Sequence, residues 1–290
     1  MKRSLCPLNA ILCILITGIF NTAIAQKINN IQQGSVTAPA GLKIDGKLSE
    51  WGPALQAYNK STKLWYTLAN DDQDIYLAIR STDAANINKI LAGGISLTIN
   101  TAGKKKDKDA FVITYPVVAK GGGRGMGRGR RGSGQQDAPD SAEILAQHKQ
   151  ALAACKEISA IGFKEITDTL ISIYNEYSIK AAANFDDKGN FVYELAIPFK
   201  MLQLSAGSPI ELAYHIKVNG IQLGGNPDMI KIGGGGGGGG SLRISGDGGG
   251  GGGGFGGFRE KDDSDVNDMM SPTDFWGKYT LATSNKPTTN

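Results

Sequence analysis

The sequence contains little cysteine and little histidine. It has three cysteines and two histidines in 290 residues. Cys6 and Cys13 fall within residues 1–25, which predict a secretory signal peptide. Once that segment is removed, Cys155 remains alone and no intrachain disulfide can form. An exported protein without disulfides has to be stabilised by its hydrophobic core.

The predicted signal peptide has the three zones that secretion requires. Lys2 and Arg3 form a short basic region, residues 11–20 are almost all apolar, and residues 23–25 have the small-x-small pattern of a cleavage site. The apolar run is about half of the roughly 20 residues that span a bilayer, so we expect no transmembrane segment after cleavage. The predicted protein is exported: periplasmic, on the outer surface or secreted.

An excess of charge of one sign is also missing. The formal net charge is +4, and it falls by two when Lys2 and Arg3 are removed. A nearly neutral chain does not predict general binding to nucleic acid. Residues 118–139 are rich in glycine and arginine and resemble RNA-binding segments. Because an exported protein meets no obvious RNA, we expect anionic polysaccharide, lipopolysaccharide or the protein's own acidic stretch at residues 260–268 as the partner of this loop, and protein partners are a further option.

Sequence motifs of catalysis are absent. The chain has no His-x-x-x-His, Cys-x-x-Cys or Gly-x-Ser-x-Gly, and its glycine runs lack the Gly-Lys-Ser/Thr ending of a phosphate-binding loop. His148 and His215 are interpreted as helix-packing or surface residues, and Cys155 as a small buried apolar residue. The sequence therefore predicts that the protein is not an enzyme. It predicts no cofactor apart from the candidate Ca²⁺ site described below.

Short segments of alternating apolar and polar residues are abundant from Leu42 onwards. This period of two buries one face of a strand and exposes the other. About eight or more such strands, separated by turn residues, predict an antiparallel β-sandwich. The clearest segments are residues 75–80, 95–100, 111–115, 171–179, 193–197 and 212–218.

Two long glycine-rich segments interrupt the predicted sandwich. The first is the Gly/Arg-rich insert at residues 118–139, and the second is the poly-Gly loop at residues 233–258. Neither has side chains to bury, and glycine loses the most backbone entropy on folding, so we expect both inserts to be disordered.

One accessory helix is predicted at residues 140–158. Asp140 and Glu143 form a capping-box-like start, and apolar residues follow at helical spacing. We expect this helix to dock on the rim of the sandwich. Residues 26–41 predict a flexible leader, and residues 284–290 a tail.

Aromatic residues supply one candidate binding surface. Trp65 and Tyr66 are candidates for stacking on a sugar, because a flat aromatic face matches the C–H face of a pyranose ring. Strand parity places Trp65 on the face opposite Leu64, Tyr66 and Leu68, so Trp65 is the residue that we expect to be exposed. Trp51 and Trp276 are expected in the core.

Clustered carboxylates supply a candidate metal site. Asp262, Asp263, Asp265 and Asp268 lie close together in a polar segment. Hard cations such as Ca²⁺ take carboxylate ligands from flexible loops, so this cluster is a candidate Ca²⁺ site. The alternative is a solvated acidic loop.

Four motifs, in this order, resemble family 9 carbohydrate-binding modules. They are Ile44–Trp51 (IDGKLSEW), residues 64–79 with their acidic turn, Tyr193–Phe199 (YELAIPF) and residues 271–281. The resemblance covers residues 42–283 and implies a β-sandwich. For the sugar-binding members of the family it also implies a non-catalytic module.

The chain departs from the family at the sugar site. Sugar-binding members clamp the ligand between two tryptophans, and at those places this chain has residues 87–91 and the pair Met269 and Met270. The acidic residues that accompany the central strand are replaced by Gly93, Gly94 and Ser96. The resemblance therefore implies the scaffold and not the family's sugar clamp.

The sequence leaves three hypotheses of function. The leading one is non-catalytic binding of a carbohydrate or cell-envelope glycan. The alternative is an exported interaction or structural protein, in which the sandwich is a platform for the Gly/Arg-rich loops and carries no sugar site. The third is a haem-binding relative, which requires His215 and a methionine as axial ligands.

Overall fold

The computed structural model describes residues 28–118, 140–205, 207, 210–220 and 268–283. The predicted signal peptide, the poly-Gly loop, nearly all of the Gly/Arg-rich insert and the predicted tail lie outside these residues. The regular secondary structure of the described chain is mostly β-strands, arranged in two antiparallel sheets, which confirms the predicted all-β class. No helix in the described ranges is long and apolar enough to cross a membrane.

The strands are short and follow the alternating segments of the sequence. In chain order they are β1 (Ala57–Asn59), β2 (Leu64–Asn70), β3 (Asp74–Ser81), β4 (Ile95–Asn100), β5 (Phe111–Tyr115), β6 (Glu157–Ile161), β7 (Leu170–Ser172), β8 (Lys180–Phe185), β9 (Phe191–Pro198), β10 (Glu211–Val218) and β11 (Thr273–Thr280). Sheet A has the order β1-β2-β3-β9-β8, and sheet B has the order β11-β10-β4-β5-β6-β7.

The two sheets share one hydrophobic core. Its fully buried side chains come from both sheets and include Leu68 and Leu77 of sheet A and Leu97 of sheet B. The hydroxyl groups of Tyr66 in sheet A and Tyr214 in sheet B lie 2.9 Å apart and form a hydrogen bond across this core. A buried hydroxyl group needs such a partner, so the pair fixes how the sheets face each other.

The segment predicted as a flexible leader, residues 26–41, is bonded to sheet A over its described part. The side chain of Gln32 accepts from the Leu68 backbone N–H and donates to the Leu68 carbonyl, both at 2.8 Å. The Gln32 backbone N–H also donates to the Tyr66 hydroxyl at 2.8 Å. These bonds attach the described part of the segment to β2, because an amide side chain can bond both the N–H and the carbonyl of one residue. The flexibility of the leader stays a prediction.

A helix that the sequence interpretation missed, α1 (Ala84–Gly93), precedes β4. The side chain of Asp83 caps it by accepting from the Asn86 backbone N–H at 2.8 Å. Asp83 followed by apolar residues at Ile87, Ile90 and Leu91 is the sequence pattern of a capped amphipathic helix.

The predicted accessory helix is present but shorter than residues 140–158. Helix α2 spans Ser141–Ala153, and the Asp140 side chain caps it by accepting from the Glu143 backbone N–H at 2.7 Å. The helix ends there because residues 157–161 alternate in polarity and pair with β5 and β7. It packs against β8 of sheet A.

The predicted strand at residues 171–179 is present only at its start, because β7 ends at Ser172 and β8 begins at Lys180. Asn175 forms a turn between β7 and β8: its amide group donates to the carbonyls of Ser172 and Ile179. Its carbonyl oxygen accepts from the Tyr177 and Ile179 backbone N–H groups. Asparagine side chains bond locally to the backbone in this way, and that bonding competes with strand pairing.

Candidate functional site

The outer face of sheet A, turned away from the core, carries a buried glutamate at its centre. Glu194 lies in the middle of β9 and is fully buried, although its neighbours Tyr193 and Leu195 point to the opposite, core side. A buried carboxylate needs hydrogen-bond donors, because removing it from water without them is costly.

The donors come from the Ile44–Trp51 motif. One carboxylate oxygen of Glu194, Oε2, accepts from the consecutive backbone N–H groups of residues 45–47 at 3.1, 2.9 and 3.2 Å. The other, Oε1, accepts from the indole Nε1–H of Trp51 at 2.7 Å. Burial raises the pKa of Glu194, and the hydrogen bonds from Trp51, Gly46 and Asp45 oppose that shift. Two motifs that lie far apart in the sequence therefore form one structural unit.

Gly46 makes this approach possible. Its φ is +78°, and a Cβ at this position would lie 3.1 Å from the backbone of Ala183 in β8. Glycine adopts this left-handed conformation without strain, whereas a Cβ would crowd the neighbouring strand. The tight turn holds the loop flat on sheet A.

Beyond this loop, the same face carries an open groove of about 910 Å³. It lies at the end of the sheet where the β2–β3 turn meets the chain that follows β9. Its apolar lining is Leu42, Ile44, Tyr76, Ala196, Pro198, Phe199 and Leu204. Its polar lining is Lys43, Asp72, Gln73, Asp74, Ser178, Lys180 and Lys200.

Strand register explains why these residues meet. Ala196 of β9 lies between Tyr76 of β3 on one side and Lys180 of β8 on the other. Side chains on one face of adjacent strands are direct neighbours, so these three residues form one row across the floor of the groove.

The acidic residues at the rim of the groove bond to their own turn. Asp71 Oδ1 accepts from the backbone N–H groups of Gln73 and Asp74 at 2.7 and 2.8 Å. The Tyr76 hydroxyl lies 2.8 Å from Asp71 Oδ2 and 3.2 Å from Asp74 Oδ2. Burial, and then the nearby charge of Asp71, raise the pKa of the Asp74 carboxyl.

Trp65 and Tyr66, the two residues predicted to stack on a sugar, lie on opposite faces of sheet A. Trp65 lies on the outer face of sheet A, partly exposed, with the Tyr58 ring centroid 4.9 Å from its own and the Arg80 guanidinium 5.7 Å above its ring. Tyr66 is fully buried between the sheets, so its ring offers no face to a ligand. The structure therefore corrects Tyr66 as a surface candidate, while Trp65 stays a prediction.

The outer face of sheet B carries a second polar cluster around His215. The His215 ring stacks on Trp276 with centroids 4.4 Å apart and an interplanar angle of 9°. Its Nδ1 lies 3.5 Å from Asp107 Oδ1 and its Nε2 lies 3.1 Å from Asp274 Oδ1. Both ring nitrogens face carboxylates, which is not the surrounding of a haem ligand. Trp276, which was expected in the core, is partly exposed here.

The candidate Ca²⁺ site falls mostly outside the described residues. Asp262, Asp263 and Asp265 are not among them, and Asp268 is exposed. Within the ranges that the structure describes, no three His, Cys, Asp or Glu side chains are grouped so that they could hold a metal ion. The Ca²⁺ site stays a prediction.

Sequence reasoning missed both the anchor at Glu194 and the groove. A weak indication existed: Glu194 is the one charged residue of the apolar strand Phe191–Pro198. The groove had none, because its residues come from four separate stretches of chain.

No protein-family model matches the chain, and no curated protein is significantly similar to it. The resemblance to family 9 carbohydrate-binding modules therefore stays a prediction that rests on the four sequence motifs.

Proposed function

We propose that the protein is an exported, non-catalytic binding protein for a carbohydrate or cell-envelope glycan, built on an antiparallel β-sandwich, and that the ligand lies in the groove of sheet A. The observation that carries this proposal is the lining of the groove. An apolar floor is surrounded by side chains that form hydrogen bonds, and a sugar has an apolar C–H face surrounded by hydroxyl groups.

The size and shape of the groove support this proposal. Ligand sites commonly have volumes of about 300–1,000 Å³, and the groove, at about 910 Å³, falls within that range. Because it is open along one side, it suits a segment of a chain better than a small molecule that must be enclosed. The groove is lined entirely by described residues.

A groove-filling variant tests the site. Ala196 is 3% exposed and forms the floor between Tyr76 and Lys180. In Ala196→Leu the longer side chain projects into the groove. We expect this variant to lose glycan binding while its melting temperature stays close to that of the unmodified protein. Ala196→Val, which is smaller and favoured in strands, replaces it if leucine lowers the melting temperature.

The measurement is a screen of neutral and acidic glycans by thermal shift, followed by calorimetry on each glycan that stabilises the protein. Trp65→Ala serves as the comparison, since Trp65 lies on the same face outside the groove. Loss of binding in Ala196→Leu with binding retained in Trp65→Ala supports the groove. The opposite pattern assigns the ligand to Trp65 and overturns the groove. Hydrolysis of a bound glycan contradicts the non-catalytic part of the proposal.

A screen in which no glycan binds tests the carbohydrate proposal as a whole. If no neutral or acidic glycan stabilises the protein, the carbohydrate proposal fails. The alternative, a platform for the Gly/Arg-rich insert, is then tested by capture of envelope proteins with and without residues 118–139.

A further inference from the structure

We propose that the groove of sheet A selects anionic glycans, those that bear carboxylate, sulfate or phosphate groups, through Lys43, Lys180 and Lys200. This inference rests on the proposed function, since it names the class of glycan that the same groove takes. It is argued from the placement and partners of the charged side chains.

The three lysines reach the groove from separate elements. Lys43 lies in the chain just before the loop that Glu194 anchors, Lys180 begins β8, and Lys200 lies in the 3-10 helix (Phe199–Leu202) that follows β9. All three are exposed. Three ammonium groups around one concave surface create a positive field that attracts an anion.

Three lysines elsewhere in the described chain have carboxylate partners. Lys47 pairs with Asp45 at 3.7 Å and Lys63 with Asp83 at 3.0 Å, and Lys278 pairs with Glu211. The ion pairs within the described residues include none of the three groove lysines. Other exposed lysines of the described chain also lack such a partner, so what distinguishes these three is that they line one concave surface together.

The carboxylates of the groove offset these charges only in part, although the ammonium groups of Lys180 and Lys200 lie near enough to Asp74 to act on its charge. Asp72 and Asp74 also line it, so ammonium groups outnumber carboxylates there. Asp74 shares the Tyr76 hydroxyl with Asp71 and lies at the turn, whereas Lys180 lies across the floor beside Ala196. An anionic group on a ligand therefore meets more ammonium groups than carboxylates inside the groove.

The decisive comparison uses ligands that differ only in charge. Polygalacturonate carries a carboxylate on each sugar, and its fully methyl-esterified form has the same backbone without the charges. We expect the unmodified protein to bind polygalacturonate about tenfold or more tightly than the ester, because several charged contacts act together. Dextran sulfate and dextran form a second pair that tests sulfate in place of carboxylate.

A matched pair of triple variants separates the groove from general attraction between charges. The groove variant is Lys43→Gln, Lys180→Gln and Lys200→Gln. The control variant is Lys104→Gln, Lys105→Gln and Lys106→Gln, which removes the same charge from the exposed β4–β5 connection of sheet B. We expect the groove variant to lose about tenfold in affinity for polygalacturonate and the control to change by less than about twofold.

Each outcome decides a different question. Equal losses in both variants mean that net charge alone governs binding, which overturns the inference. A groove variant that binds unchanged, beside an Ala196→Leu variant that does not bind, leaves a neutral-glycan groove and removes the anionic one. Inorganic phosphate that binds as tightly as the glycans assigns the lysines to a free anion and also overturns it. No binding of any glycan ends the proposed function itself.

Discussion

The outer face of sheet A treats its charged side chains differently at its centre and at its end. At the centre, the carboxylate of Glu194 is fully buried and accepts hydrogen bonds from four N–H groups of the chain itself. In the groove at the end, three lysines have no carboxylate within ion-pair distance among the described residues. A charge that the fold satisfies internally holds structure together, whereas a charge left unpaired in a concave surface is available to a ligand.

The largest effect is expected at the centre. Glu194→Leu leaves one buried donor, the Gly46 N–H, and three partly buried donors without their acceptor. We expect these losses together to lower the free energy of unfolding in urea by about 3–5 kcal/mol. Glu211→Gln is the control, because Glu211 is exposed and pairs only with Lys278; its effect should stay within about 1 kcal/mol. Equal losses in the two variants would remove the distinction between centre and surface.

The next effect concerns the turn that brings the donors to Glu194. We expect Gly46→Ala to lower the free energy of unfolding by about 3 kcal/mol, the upper end of the usual cost of backbone strain. An alanine there has an unfavourable positive φ, and its Cβ crowds the backbone of Ala183. Gly189→Ala is the matched control: its φ is +76°, but a Cβ there meets nothing within 4 Å. If Gly189→Ala costs as much, crowding against β8 plays no part.

A smaller effect is expected at the indole N–H. Trp51→Phe keeps an aromatic ring and removes the donor that lies 2.7 Å from Glu194 Oε1. We expect a loss of about 1–2 kcal/mol in the free energy of unfolding, since Trp51 is partly exposed and water replaces part of the interaction. For comparison, Trp65→Phe removes an indole N–H that donates no hydrogen bond within the described chain. A larger loss at Trp65 would contradict our description of the anchor.

The smallest effect is a pH dependence in the groove. Burial and the charge of Asp71 raise the pKa of Asp74, while the Tyr76 hydroxyl and the ammonium groups of Lys180 and Lys200 oppose the shift. Because this pKa lies above the ordinary value of an aspartate, lowering the pH from about 7 to about 4 protonates much of Asp74 and removes negative charge from the groove.

We expect the affinity for dextran sulfate, which stays ionised in this range, to rise about two- to fivefold as the pH falls, because one partly exposed charge contributes at most about 1 kcal/mol. The measurement is calorimetry at both pH values. Asp72 and Lys43 also line the groove, so the control is Asp74→Asn, which should bind more tightly at pH 7 and lose this part of the pH dependence. The same rise in Asp74→Asn would place its cause outside Asp74.

The sequence was sufficient for elements that depend on local periodicity. Alternation in residues 75–80, 95–100 and 212–218 predicted β3, β4 and β10, because a strand with one buried face repeats every two residues. The cap of α2 at Asp140 was predicted for the same local reason.

The remainder depends on contacts between distant parts of the chain. Gln32 bonds to Leu68, 36 residues away, and Asp45 bonds to Glu194, 149 residues away. No local pattern encodes such pairs, so the bonded N-terminal segment and the groove could not be predicted from periodicity. Helix α1 differs from these cases, because the cap at Asp83 and the apolar residues at helical spacing after it form a local sequence pattern that indicates a helix.

The hydrogen bonds between Glu194 and the Ile44–Trp51 motif have a consequence for how related sequences can change during evolution. Gly46, Trp51 and Glu194 act as one unit, so a lineage that loses any one of them gains freedom to change the other two. Related chains should therefore keep or lose the three residues jointly, whatever the length of the inserts between them. A search for distant relatives should weight this triplet above overall similarity, because glycine-rich inserts dilute the similarity and leave the triplet intact.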